Sequence, residues 1–133
     1  MTIEPIYVVD TNALIWHLTN DRKLGARARV IFNAAEQGQT RLIVSAIVMA
    51  EMFYANKKFG LFADIDLVFR RLFSAPHIRF APFTADDVLQ FERDASVPEM
   101  HDRIIAGLAR RLGAPLIASD PQIVDAGVAE TVW

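Results

Sequence analysis

Ile6-Tyr7-Val8-Val9-Asp10-Thr11-Asn12-Ala13-Leu14 is the stretch whose reading decides the fold. A short apolar run, Ile6 to Val9, reads as a buried strand. It stops at Asp10-Thr11-Asn12, residue types that cap helices and build turns. Ala13 to Leu18 then read as a helix, so the chain turns from strand to helix at an aspartate. The same alternation continues outward from there. Gly25 to Ala35 has helical apolar spacing, and Arg41 to Val44 is a second strand. A long helix starts at the cap candidate Ser45 and ends at Gly60. Another helix runs through Asp66, Phe69 and Phe73 and breaks before Pro76. Ile78 to Ala81 is a strand, and Thr84 caps a helix with Asp86 and Asp87 in its first turn. His101 to Leu112 is helical and ends at Gly113. Leu116 to Ala118 is a strand, Ser119-Asp120-Pro121 opens a short helix, and Thr131 to Trp133 is a terminal edge strand. Strands alternating with helices predict an α/β sandwich with a mainly parallel central sheet.

The 133 residues suit a single domain over 1–133, and an apolar fraction of 53% supplies its core. The absence of cysteine removes disulfides, thiolate nucleophiles and cysteine-based zinc sites, and fits a reducing cytoplasm. Met1-Thr2-Ile3-Glu4-Pro5 lacks the basic-then-apolar pattern of a leader, and no apolar run is long enough to cross a bilayer. A cytoplasmic protein without a membrane partner is expected. The formal charge is −2, from 14 basic and 16 acidic side chains. If four carboxylates hold metal, basic residues outnumber acidic ones in the rest. Composition therefore permits a nucleic-acid partner without requiring one.

In parallel sheets, ligands bind beyond the carboxyl ends of the strands. Asp10 and Asp120 each follow a predicted strand and so face one rim. Both also suit helix N-caps, Asp120 especially, with Pro121 behind it. Glu51 shares a helix face with Ile47, Val48, Tyr54 and Ala55. A carboxylate on an apolar stripe must be neutralised, paired with an arginine or bound to a metal. Asp102 lies in the first turn of its helix, where it also complements the helix dipole. His101 is a metal-ligand or general-base candidate, although a lone histidine is more often structural or simply exposed. Asp125 is either a further carboxylate near the metal or a solvated helix residue. Hard oxygen donors without cysteine suit Mg²⁺ or Mn²⁺ rather than zinc. One or two such ions over a phosphodiester would activate a water and neutralise the departing oxygen, with Thr11 or Ser119 orienting water or phosphate.

Val8-Val9-Asp10-Thr11-Asn12-Ala13-Leu14, the segment Ser45 to Glu51, His101-Asp102-Arg103-Ile104-Ile105-Ala106, and Leu112-Gly113-Ala114-Pro115-Leu116-Ile117 through Ser119-Asp120 together resemble PIN-domain nucleases. Within that family they are most similar to the VapC-type toxins of VapBC toxin–antitoxin pairs. The resemblance spans nearly the whole chain. It implies a Rossmann-like fold and RNA cleavage with Mg²⁺ or Mn²⁺ held by Asp10, Glu51, Asp102 and Asp120. It places Thr11 or Asn12, and Ser119, at the polar positions beside the metal. Asp125 is a secondary position that varies among relatives. It also implies a homodimer and a cognate antitoxin laid across a groove.

Phe53, Phe59, Phe62, Phe69 and Phe73 crowd two middle helices. About half of them are expected in the core and the rest in an exposed apolar patch of the kind that marks an interface. Arg70-Arg71 and Arg110-Arg111 are candidates for phosphate contact or are solvated charges. A non-catalytic RNA-binding or scaffold module of the same fold is the alternative, although all four acidic positions are filled. An aspartyl-phosphate enzyme or receiver domain would need a lysine after a late strand, and only Lys23, Lys57 and Lys58 exist. No glycine-rich phosphate loop follows the first strand, which disfavours a nucleotide-binding enzyme.

Overall fold

A computed structural model describes residues 5–133. Met1 to Glu4, on which the expectation of no leader rests, lie outside the described residues. Strands β1 (Ile6–Val9), β2 (Arg41–Ser45), β3 (Ile78–Ala81), β4 (Leu116–Ile117) and β5 (Thr131–Val132) form one sheet in the order β3-β2-β1-β4-β5. Every pairing is parallel, so the sheet goes further than the mainly parallel one expected. Val8 and Val9 point to opposite faces of β1, and both are 0% exposed. Both faces of the sheet are therefore covered, which is why its central strands read as continuous apolar runs.

Helices α1 (Thr11–Leu18), α2 (Ala26–Glu36), α3 (Ala46–Phe59), α4 (Ile65–Ser74), α5 (Ala85–Leu89), α6 (Met100–Leu112) and α7 (Pro121–Val124) connect the strands. Their starts obey capping chemistry. Asp10 accepts from the Ala13 N–H at 2.7 Å, Ser45 from Ile47 at 3.3 Å, and Asp120 from Gln122 at 2.9 Å with Pro121 opening the helix. Helix α6 begins one residue before the expected His101, because the Glu99 side chain caps it by accepting from the Asp102 N–H at 2.8 Å. Among the described residues, no helix is long and apolar enough to cross a membrane.

One topological fact positions the site. From β1 the chain adds strands in one direction, β2 then β3, and later returns to add β4 and β5 on the other side. The carboxyl ends of β1 and β4 therefore border a switch point, the place where open parallel sheets leave a crevice. The register sets Val9 beside Ile117, and the Asp10 N–H donates to the Ile117 carbonyl at 3.2 Å.

Helix α6 packs through Ile105, Ala106 and Ala109, and carries the buried Gly107. A Cβ at Gly107 would stand 2.5 Å from the Asp94 Oδ2. Asp94 is buried and takes two hydrogen bonds from Arg110, at 2.6 and 3.2 Å. It cannot retreat without leaving a charge unpaired, and breaking such a pair is expensive. Gly107→Ala is therefore expected to destabilise the protein by about 2 kcal/mol, despite alanine's better helix propensity. Chemical denaturation checks this, and an unchanged midpoint would refute it.

Candidate active site

Three strand or helix ends and one helix face deliver the expected acids to one place. Asp10 leaves β1, Asp120 stands three residues beyond β4, and Asp102 sits in the first turn of α6. Glu51 projects from the second turn of α3, which leaves the end of β2. Their proximity is legible in their mutual repulsion. Burial above all lifts the Asp10 carboxyl to about 7, against the backbone bond from Ala13, and Asp102, Glu51 and Asp120 push it further up. Burial likewise lifts Asp102 to about 6, with Glu99, Asp120 and Glu51 adding to the push and His101 opposing it. Among the described residues, none of the four carboxylates is paired with lysine or arginine.

Glu51 is half-buried, and its partner is not an arginine. The Thr11 hydroxyl donates to its Oε1 at 2.5 Å, tying the start of α1 to α3 across the site. The stripe expected around Glu51 needs one correction. Val48 is fully buried, yet Tyr54 is 69% exposed, so Glu51 stands at the margin of the apolar face with Tyr54 on its open side. Asn12 and Ser119 are exposed at the rim. Asp125 is also exposed, beyond α7, and the upward push on Asp10 and Asp102 comes from the other carboxylates.

His101 is engaged through Nδ1 with the Glu99 carboxylate, and that bond is the main reason its pKa is raised. Glu99 is not among the residues that the sequence singles out. It caps α6, holds His101 and adds negative charge beside Asp102. Glutamate is an uncommon N-cap, so its residue type gave no signal. The arginine pairs are largely committed elsewhere: Arg70 to Asp66 at 2.7 Å, Arg110 to Asp94, and Arg111 to Asp87 at 2.7 Å. Phe53, Phe59 and Phe73 are exposed, whereas Phe62 and Phe69 pack against the core.

The donor set can be tested against a divalent cation. Among the described residues, no three acidic or histidine side chains are close enough to enclose an ion by themselves. A small hard cation that keeps several of its waters needs only one or two carboxylates. The all-oxygen donors, their mutual repulsion and the lack, among the described residues, of a lysine or arginine paired with them fit such a hydrated ion.

Comparison with known proteins adds three findings. A family model described as PIN domain matches residues 7–128. No curated protein matches the chain. Solved structures share its fold over nearly the whole length. VapBC2 from Rickettsia felis, bound to a DNA fragment from the promoter, superposes with a TM-score of 0.67 at 16% identity, covering 96% of this chain and 98% of that one. FitAcB from Neisseria gonorrhoeae gives 0.65 at 18% identity, with 96% of each chain covered. FitAB bound to an IR36 DNA fragment gives 0.62 at 17%, covering 95% and 93%.

Proposed function

The chain belongs to the PIN-domain family, and from that premise we propose that it is a VapC-type toxin, an endoribonuclease that hydrolyses RNA phosphodiester bonds with Mg²⁺ or Mn²⁺. The observation that carries this reading is the acidic cluster at the switch point, where burial lifts the Asp10 carboxyl to about 7 and Asp102, Glu51 and Asp120 push it further up. A buried carboxylate among like charges, with no lysine or arginine paired to it among the described residues, is costly and persists where a function needs it.

Asp10, Glu51, Asp102 and Asp120 are the residues that would hold the ion. Bound there, a divalent cation lowers the pKa of a water and offsets charge on the departing oxygen. The chain's own residues do the positioning. Thr11 fixes the Glu51 carboxylate by its hydroxyl bond. The Glu99 cap fixes the first turn of α6, and with it the backbone of Asp102. The β1–β4 pairing fixes the separation of the strand ends that carry Asp10 and Asp120. Asn12 and Ser119 offer polar groups at the rim, where a phosphate would enter.

The reading includes a cytoplasmic, homodimeric protein neutralised by a cognate antitoxin. A pocket of about 390 Å³ supports that last part. Its apolar lining includes Leu14, Phe32, Phe62 and Leu72, with Arg71 and Glu36 among its polar residues, and suits an amphipathic segment.

The test is cleavage of total cellular RNA by the purified chain, with Mg²⁺ or with a chelator, beside Asp102→Asn. Discrete cuts that need both the metal and Asp102 are expected. Cutting that survives in Asp102→Asn would overturn the site. No cutting by folded, antitoxin-free protein would favour the non-catalytic module.

A further inference from the structure

The chain has three lysines, and all three lie over aromatic rings on the α1–α3 side of the molecule. Lys57 Nζ is 5.4 Å from the centre of Phe53, Lys58 is 5.2 Å from Phe59, and Lys23 is 5.5 Å from Trp16. Among the described residues, none of these lysines pairs with a carboxylate, whereas Arg70, Arg110 and Arg111 do. Trp16 is half-buried against the core, whereas the α3 rings are open to solvent: Phe59 is 65% exposed, Phe53 38% and the adjoining Tyr54 69%, with Phe53 and Tyr54 in edge contact. A pocket of about 570 Å³ runs alongside, lined by Asn12, Trp16, Asp21, Lys23 and Phe59. Asn12 adjoins Thr11, which holds Glu51.

Helical geometry connects this surface to the acidic cluster. Tyr54 and Lys58 follow Glu51 by three and seven residues, so all three share one face of α3. At 1.5 Å per residue, Tyr54 lies about 4.5 Å and Lys58 about 10 Å along the axis from Glu51. An aromatic ring one turn from the site and an uncommitted cation two turns from it match a strand of unpaired bases. Bases stack on exposed rings, and phosphates meet the lysines. A duplex keeps its bases stacked on each other and cannot use such a platform.

We propose that this face of α3 is a track that binds single-stranded RNA and leads it to the acidic cluster, an inference that rests on the nuclease reading above. Lys57 and Lys58 supply the charge complementarity, and Tyr54 is the stacking residue nearest the site.

The experiment measures binding of a fluorescent single-stranded oligoribonucleotide of about ten nucleotides, within the usual range of single-strand sites. It uses the full chain carrying Asp102→Asn in Mg²⁺, and gels confirm that the probe stays intact. Adding Tyr54→Ala is expected to weaken binding about tenfold, and Tyr54→Phe to restore it. Lys57→Ala with Lys58→Ala is expected to reduce the slope of log affinity against log salt by about 1.4, as for two lost phosphate contacts. Arg70→Ala, on α4, leaves binding unchanged. A duplex of the same length binds more weakly and ignores Tyr54→Ala. Equal affinities across parent and α3 variants would overturn the track. So would unchanged RNA binding with a shift in sedimentation, which would make the face a self-association surface. RNA cleavage that persists with unaltered binding sinks the track alone, whereas a chain that neither binds nor cuts RNA sinks the nuclease reading with it.

Discussion

Asp10→Asn is expected to abolish RNA cleavage, by about 10³-fold or more, and at the same time to make the metal-free protein more stable. The activity loss follows from its proposed role as a ligand: partners outside the ligand set typically cost 10–100-fold, and a ligand itself costs more. The gain in stability follows from its raised pKa. The carboxyl titrates near 3.8 in the unfolded chain and at about 7 in the folded one. Between those values the folded state binds the extra proton, so the stability associated with this group is complete below about pH 4. It is lost as pH rises through 7. At pH 8 the folded protein carries a buried, repelled charge. Asparagine removes that charge while keeping the side-chain oxygen that caps α1. At 1.36 kcal/mol per unit, the relief is about 2–4 kcal/mol, or roughly 10 °C in melting temperature. Thermal unfolding in chelator at pH 8 and at pH 5 measures it. The gain should appear at pH 8 and shrink at pH 5. A lower melting temperature at pH 8 would contradict the assigned burial and repulsion at Asp10.

The second large effect concerns the ion itself. Protons and a divalent cation compete for the same carboxylates, so affinity must fall as Asp10 and Asp102 protonate. With these groups titrating at about 7 and about 6, cation affinity should fall about 10³-fold from pH 8 to pH 5, if both must be deprotonated. Calorimetric titration of Mn²⁺ across this range gives the slope, and proton release upon binding should appear in buffers of different ionisation enthalpy. Flat affinity between pH 8 and pH 5 would exclude Asp10 and Asp102 as joint ligands. Asp10→Asn should flatten most of the dependence.

The sheet and its rim were readable in the sequence because β1, β2 and β4 are buried on both faces and so print as unbroken apolar runs. An aspartate directly after such a run has only one end of the sheet to occupy. The margins were harder. Residues three and four away from Glu51 lie on both flanks of it, and spacing alone does not say which flank meets the core. Spacing therefore groups Tyr54 with Val48, although one is exposed and the other buried, on opposite sides of the glutamate. The Asp94–Arg110 pair joins residues from separate segments, and no local pattern announces it. Gly107 carried a faint signal, since a glycine inside an apolar helix marks close approach, but not the identity of what approaches. Arg70, Arg110 and Arg111 looked available because their partners are set by tertiary packing or local rotamers.

The pairing of Val8 with Leu116 joins residues more than a hundred positions apart in the chain. Any chain that stops short of Leu116 has Asp10 on an open edge of the sheet and no Asp120 at all. The acidic cluster is thus complete only once the chain has been made through Asp120. Under the nuclease reading, a nascent chain that has not reached Asp120 is harmless to the RNA that surrounds it, because its hydrolytic centre still lacks the β4 side.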